Sequence, residues 1–316
     1  MNSIVRVGLI GIGKMGKNHL RVLSMLKNVE IIFINDLDKE AVKKIAKQYD
    51  VLNVDNPQEY LNKIDALFIA SPTSTHYEII KNVAGKVRNI FVEKPLSSNL
   101  KEARDLVECV KPLNLNIQIG FIERYNPAVR EIKKILSHSS GVVNIDFTRT
   151  NKLSSRINDV DVVTDLMIHD IDLALFINGP VDTVDAVGVA EGGIIDFASA
   201  TLRHQNGSFS RIQASRMTEK KMRMIQATCK DMFIECNLLR KEVLISRQSE
   251  LRKIDNESYT ITAQEESIEV PHQEALLNQL QAFLASCYEE DFSQRPNIQA
   301  GLDAMIICDQ IKESVL

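Results

Sequence analysis

Ile4-Val-Arg-Val-Gly-Leu-Ile10-Gly11-Ile-Gly13-Lys14-Met15-Gly16 is an apolar, β-branched run that gives way to three spaced glycines. Residues 14–26 then carry apolar side chains at helical spacing, so the stretch reads as strand, tight turn and helix. In that order the glycines permit the turn and let backbone N–H groups close on a pyrophosphate. The helix N-terminus adds favourable potential for the anion. Gly11, Gly13, Lys14, Met15 and Gly16 are therefore candidates to hold a dinucleotide. Outside a strand–turn–helix context the same spacing would be only a glycine-rich turn. A second strand over 30–35 runs into Asp36. A carboxylate there accepts hydrogen bonds from ribose hydroxyls and repels a 2′-phosphate, which favours NAD and makes NADP the less expected cofactor. Lys39 nearby keeps NADP open, and Asp36 could also cap a turn.

Outward from this loop, apolar strands over 66–70, 89–92 and 116–119 alternate with helices over 37–49, 75–84 and 99–110. Near-continuous apolar strands between helices argue for a parallel sheet covered on both faces. The rhythm changes after Gly120. A helix starts at Pro127, which suits a first helical position, and a longer strand follows over 142–150. From about 181 to 247 the chain reads as antiparallel strands, and Asn206-Gly207 is a hairpin signal between 198–204 and 209–214. Further strands are expected over 222–228, 232–236 and 242–246, whereas the polar, poorly periodic 248–267 reads as a loop with short strand pieces. Helices over 273–288 and 298–314 close the chain, and the last could pack on either half. The expected fold is α/β: a doubly wound parallel sheet over 1–122, then an α+β domain over 123–316 with an open, mainly antiparallel sheet.

The chain has 316 residues, 44% hydrophobic, with a formal charge of −4, the balance of an ordinary soluble protein of two domains. That charge argues against a nucleic-acid partner. No apolar run approaches membrane-spanning length, and no signal-like segment precedes the first strand, so a cytoplasmic protein is expected. Five scattered cysteines without a CxxC pair are expected to be reduced thiols. No metal is expected, because a zinc reading lacks a His/Cys cluster at ligand spacing.

Two stretches carry chemistry. In Ile90-Phe-Val-Glu93-Lys94-Pro95 a lysine follows the C-terminal end of a parallel strand, the edge at which open α/β sheets bind ligands. An ammonium there could orient a substrate hydroxyl and stabilise a developing carbonyl oxygen. Taken alone, the tripeptide favours a surface lysine paired with Glu93. In Asp165-Leu-Met-Ile-His169-Asp170-Ile-Asp172, a helix would place Asp165, His169 and Asp172 on one face, suited to proton handling. A satisfied core histidine is the alternative, but polar residues in so apolar a helix need partners.

Four motifs in order resemble the glucose–fructose oxidoreductase/inositol dehydrogenase (Gfo/Idh/MocA) superfamily: Gly11-Ile-Gly-Lys-Met-Gly16, Ala70-Ser-Pro-Thr-Ser-Thr-His76, Glu93-Lys94-Pro95 and Asp165-Leu-Met-Ile-His169-Asp-Ile-Asp172. The resemblance implies a Rossmann domain followed by a substrate-binding α/β domain that often makes dimer or tetramer contacts through its sheet. It implies that Lys94 contacts the reacting hydroxyl, that His169 is the general base, and that Asp165 positions substrate or imidazole. It places Ser71, Pro72 and His76 along the nicotinamide half of the dinucleotide and Glu93 near the nicotinamide ribose. Arg124, Tyr125 and Asn126 become substrate-site candidates. Met167 departs from the family pattern, which often has glycine there, and bears on the substrate more than on the chemistry. Within the family the likeness is greatest to bacterial UDP-N-acetylglucosamine 3-dehydrogenases. Arg211, Arg216, Lys220, Lys221 and Arg223 could then face an acidic nucleotide sugar, or form a solvated charged surface. Two rivals follow: an inositol or free-sugar dehydrogenase, and a non-catalytic NAD(P)-sensing regulatory protein. The retained Lys94 and His169 speak against the sensor.

Overall fold

The computed structural model describes residues 4–152, 160–253, 259–288 and 295–316. The Met1-Asn-Ser start and part of the 248–267 stretch lie outside them. In chain order the first elements are β1 (Val5–Ile10), α1 (Lys14–Met25), β2 (Val29–Asn35), α2 (Lys39–Tyr49), β3 (Ala66–Ile69), α3 (His76–Val83), β4 (Asn89–Val92), α4 (Leu100–Val110) and β5 (Asn116–Ile119). There follow α5 (Pro127–Leu136), β6 (Val142–Lys152), α6 (Ile168–Asn178), β7 (Val181–Glu191), β8 (Ile194–His204), β9 (Phe209–Ser215) and β10 (Met217–Cys229). The last are β11 (Met232–Asn237), β12 (Glu242–Lys253), β13 (Tyr259–Ile268), α7 (Ala275–Ser286) and α8 (Ile298–Val315).

The chain forms two compact units, the first of residues 1–122 and 274–306. Its sheet is wholly parallel in the order β2-β1-β3-β4-β5. The chain order reverses between β1 and β3, the topological switch point at which such sheets open a crevice beyond their strand ends. β3 and β4 are buried at every position, which is why they read as short runs that are apolar except for Asn89. The expected division at 122/123 is corrected by the return of 274–306 to this unit. The reason is packing. Phe283 of α7 meets Phe68 and Phe91 edge-on, with centroids 5.1 and 5.5 Å away. Leu276, Leu280 and Leu284 join the same core. An apolar helical stripe announces burial, not the sheet that will cover it.

The second unit holds residues 123–273 and 307–316. Its eight-stranded sheet runs β13-β12-β11-β10-β6-β9-β8-β7, antiparallel except where β6 pairs with β9 in parallel. The Asn206-Gly207 hairpin forms as read, with Gly207 at φ +85°. The loop expected over 248–267 is corrected: β12 and β13 form an antiparallel ladder, for example Arg247 opposite Gln264. β13 is an edge strand with residues 264–267 exposed, so backbone pairing holds it without apolar alternation. The segment before α6 also departs from expectation. Val163–Met167 is a single π-helical turn, so Asp165 lies outside the regular α register of His169 and Asp172. No helix among the described residues is long and apolar enough to cross a membrane.

Candidate active site

The glycine loop divides its labour. Gly11 has φ +92°, and a Cβ there would lie 2.3 Å from Ser71 N, so the turn presses against the end of β3. A Cβ on Gly16 would lie 1.9 Å from Gly11 O, so only glycine lets α1 approach the turn. Gly13 is different: it is the N-cap of α1, and a Cβ would meet nothing within 4 Å. No side chain caps that helix end and its first turn carries no acidic residue. Its amide groups are thus left for an anion, and the open side of Gly13 permits close approach. These features fit a dinucleotide pyrophosphate.

Around this loop lies a cleft of about 430 Å³, lined by residues just beyond four strand ends. Gly11, Gly13 and Met15 follow β1, Asp36 follows β2, Ser71 and Pro72 follow β3, and Glu93 and Lys94 follow β4. A second cleft of about 520 Å³ shares Gly11, Asp36, Ser71 and Pro72 and extends past Leu37 and Asp38. Asp36 accepts from Ile12 N at 2.5 Å and from Asp38 N at 2.9 Å. A carboxylate has about four acceptor sites, so it keeps capacity for ribose hydroxyls. Lys39, the residue that left NADP open, pairs at 2.5 Å with Asp55.

His76 does not line the cleft as expected. It is 1% exposed, with Nδ1 2.9 Å from Pro95 O and Nε2 3.0 Å from Ser71 O, so it ties together the two loops that do. Burial pushes its pKa below the ordinary value, although both carbonyls favour the charged form. Lys14 is exposed at the start of α1. His19, which sequence reasoning passed over, is fully buried with Nε2 2.7 Å from Glu93 Oε1 and its ring against Phe91. It anchors the carboxylate of the Glu-Lys-Pro motif, and its spacing after Gly16 on a buried helix face was the available signal.

In the second unit, α6 is held by two buried ion pairs. Asp172 receives Arg124 through Nε and Nη2 at 2.6–3.1 Å, with the guanidinium over the Phe176 ring. Asp170 receives Arg149 in the same two-pronged way at 2.7 and 2.8 Å. Arg149 Nη1 also donates to Glu123 at 3.0 Å. Burial opposes the Glu123 charge, but Arg149 and Arg223 hold its carboxyl below the ordinary range. Asp170, Arg149 and Glu123 were not singled out in sequence; the hint was that Arg149 continues the alternation of Ile145 and Phe147 along β6. Asn126 caps α5 through Ala128 N and donates to Glu123, while Tyr125 is buried beneath Arg130. Arg124 and Asn126 therefore have structural partners within the unit.

His169 is half-buried at the start of α6, and Asp165 half-buried in the preceding turn, where Arg216 Nη2 lies 3.4 Å from its Oδ2. The five basic candidates separate. Arg211 pairs on the surface with Asp146, Arg216 is buried, and Arg223 faces Glu123 at 3.4 Å. Lys220 and Lys221 border an open cleft of about 370 Å³ together with Arg223 and Arg240.

Comparison with known proteins agrees with this geometry. Residues 5–121 match the family model described as "Oxidoreductase family, NAD-binding Rossmann fold", and residues 137–233 match the "GFO/IDH/MocA C-terminal domain". The uncharacterized oxidoreductase YrbE of Bacillus subtilis is 32% identical over 241 residues, 68% of each chain. The UDP-N-acetylglucosamine 3-dehydrogenase of Acidithiobacillus ferrooxidans is 29% identical over 238 residues, 74% of each. Its solved structure superimposes with a TM-score of 0.87 over 99% of this chain and 98% of that one, at 24% identity. The myo-inositol 2-dehydrogenase of Thermotoga maritima is 26% identical over 237 residues, 67% of this chain and 69% of that one.

Proposed function

The chain belongs to the GFO/IDH/MocA oxidoreductase family with an NAD-binding Rossmann domain, and from that premise we propose a cytoplasmic dehydrogenase that oxidises a secondary hydroxyl of a sugar to a ketone. The 3-hydroxyl of a UDP-N-acetylamino sugar is the foremost candidate. The observation that carries the reading is the cleft in which Gly13, Asp36, Glu93 and Lys94 meet just beyond the ends of β1, β2 and β4. NAD bound there supplies the hydride acceptor. In this reading His169 takes the hydroxyl proton and Asp165 orients the imidazole or the substrate. Lys94 donates to the oxygen as its charge changes, a placement suited to an ammonium beyond a strand end. Asp172 is relieved of chemistry by its full pairing with Arg124.

The basic rim of Lys220, Lys221, Arg223 and Arg240 supports a substrate with phosphate groups, as does the 29% likeness to a UDP-N-acetylglucosamine 3-dehydrogenase. A polyol reading draws on the likeness to a myo-inositol 2-dehydrogenase and needs no such rim. Following NADH absorbance with NAD and a panel of UDP-N-acetylglucosamine, glucose 6-phosphate and myo-inositol separates them. Fastest turnover of the nucleotide sugar supports the first reading, fastest turnover of inositol replaces it with the second, and no turnover of any alcohol rejects both. Exposed Val187 and Val189, two residues apart on the edge strand β7, support a homodimer or homotetramer through that sheet, which sedimentation equilibrium tests.

A further inference from the structure

Two carboxylates rim the nucleotide cleft on opposite sides of the glycine loop. In the sheet order β2-β1-β3-β4, Asp36 lies past β2 on one side of the β1 loop, and Glu93 past β4 on the other. NAD carries a ribose on each side of its pyrophosphate. With the pyrophosphate at Gly13, Asp36 is on the side of one ribose and Glu93 on the side of the other. The two carboxylates are held differently. Backbone N–H groups of Ile12 and Asp38 hold Asp36. Glu93, its side chain 12% exposed, has Oε1 2.7 Å from Nε2 of the fully buried His19. Its Oε2 accepts no hydrogen bond among the described residues and lies against Gly120, where a Cβ would be 2.7 Å away.

His19 makes no other side-chain hydrogen bond among the described residues. Its ring lies by Phe91 and Phe68, with centroids 5.2 and 6.1 Å away, and its Nδ1 has no partner. A carboxylate only accepts, so Nε2 carries the hydrogen and donates it to Oε1. Burying an imidazole among phenyl rings is costly unless its N–H is used, and a leucine would fill this space without that cost. The missing side chain at Gly120 leaves the room that the carboxylate occupies. We infer that His19 is a positioning residue for the cofactor: by holding Glu93 Oε1 it leaves Oε2 in the cleft as the acceptor for a hydroxyl of the second ribose. His19 stands on α1, the helix whose N-terminus faces the pyrophosphate, so one rigid element sets both contacts. The inference rests on the NAD cleft and not on the identity of the sugar.

The test is a double-mutant cycle on the full-length protein, read as the NADH dissociation constant by fluorescence titration. It compares His19→Leu, Glu93→Ala and the two combined. H19L keeps the packing and removes the donor, so NADH should bind about tenfold more weakly. In the absence of the Glu93 carboxylate His19 has nothing to position. The combined variant should therefore bind within about twofold of E93A alone. His19→Gln, whose amide nitrogen can reach Oε1, should recover NADH affinity to within about threefold of the unsubstituted protein. If H19L does not fold, His19→Asn, whose amide is too short for Oε1, takes its place. NADH affinity in H19L within about twofold of the starting value would overturn the inference. So would a loss from H19L as large without the Glu93 carboxylate as with it, or an H19Q as weak as H19L, either of which marks a role in packing alone. NADH binding without turnover of any sugar would reject the proposed reaction and leave the inference standing. An unsubstituted protein that does not bind NADH would overturn both.

Discussion

Asp165 and Asp170 lie in one short segment, each beside an arginine, and differ in burial and in how that arginine meets them. Asp170 is 2% exposed, gripped by both prongs of Arg149, and linked onward to Glu123. Asp165 is half-buried, and Arg216 reaches it through Nη2 at 3.4 Å. The nucleotide loop repeats the contrast: Gly16 is packed against Gly11 O, while Gly13 faces open space. Fully paired or packed groups hold backbone in place, whereas the open face of Gly13 beside the cleft leaves room for a ligand. A buried charge removed from a complete pair leaves its partner stranded, so the two kinds of position should respond to substitution in different currencies, stability and function.

The largest effect on stability is expected at the complete pairs. Arg149→Met strands the buried Asp170 carboxylate and leaves Glu123 with only Arg223 and Asn126, and should cost about 3–5 kcal/mol in urea unfolding. Asp172→Asn strands only Arg124 and leaves an amide acceptor, so about 1–3 kcal/mol is expected. A loss below about 0.5 kcal/mol in R149M would show that complete pairing does not hold this segment in place.

The glycines sharpen the contrast at intermediate size. Gly16→Ala drives a methyl into backbone and should destabilise the first unit by about 1–3 kcal/mol. Gly13→Ala should leave the melting temperature nearly unchanged and weaken NADH binding about tenfold, near 1.4 kcal/mol. Equal NADH affinity in G13A and the unsubstituted protein would show that this open face is not the pyrophosphate cradle.

How far these positions could be read in the chain follows from the range of the interactions. The parallel sheet and its loop were legible because apolar runs ending in glycine or Ser-Pro are local signals, and Gly11, Asp36, Ser71 and Lys94 do line one cleft. The β12–β13 ladder was not, because an exposed edge strand needs only backbone partners. Nor was the π turn at Val163–Met167, which packing decides. His76 was read as a cleft residue from its motif, but its two carbonyl partners lie in separate loops that the sequence does not juxtapose. Arg149 and Asp170 are paired across twenty-one positions of chain, and no local pattern names the partner.

A smaller effect concerns pH. Burial holds His76 and His204 below their ordinary pKa. The unfolded chain binds protons at these sites at higher pH than the folded one, so their contribution to stability is intact above about pH 6.5 and is lost progressively as pH falls from there through the lower folded-state pKa. The drop in melting temperature between about pH 7.5 and about pH 5.5 should be smaller in His204→Gln than in the unsubstituted protein. An identical drop would mean that His204 does not titrate differently on folding.

The most direct measurement is the rate of NADH formation by His169→Asn, taken beside its NADH dissociation constant. General-base removal predicts turnover lower by about 100- to 10,000-fold with NADH affinity unchanged. Turnover within about tenfold of the unsubstituted enzyme would contradict the account and move the chemistry away from the Asp165–His169 end of the segment.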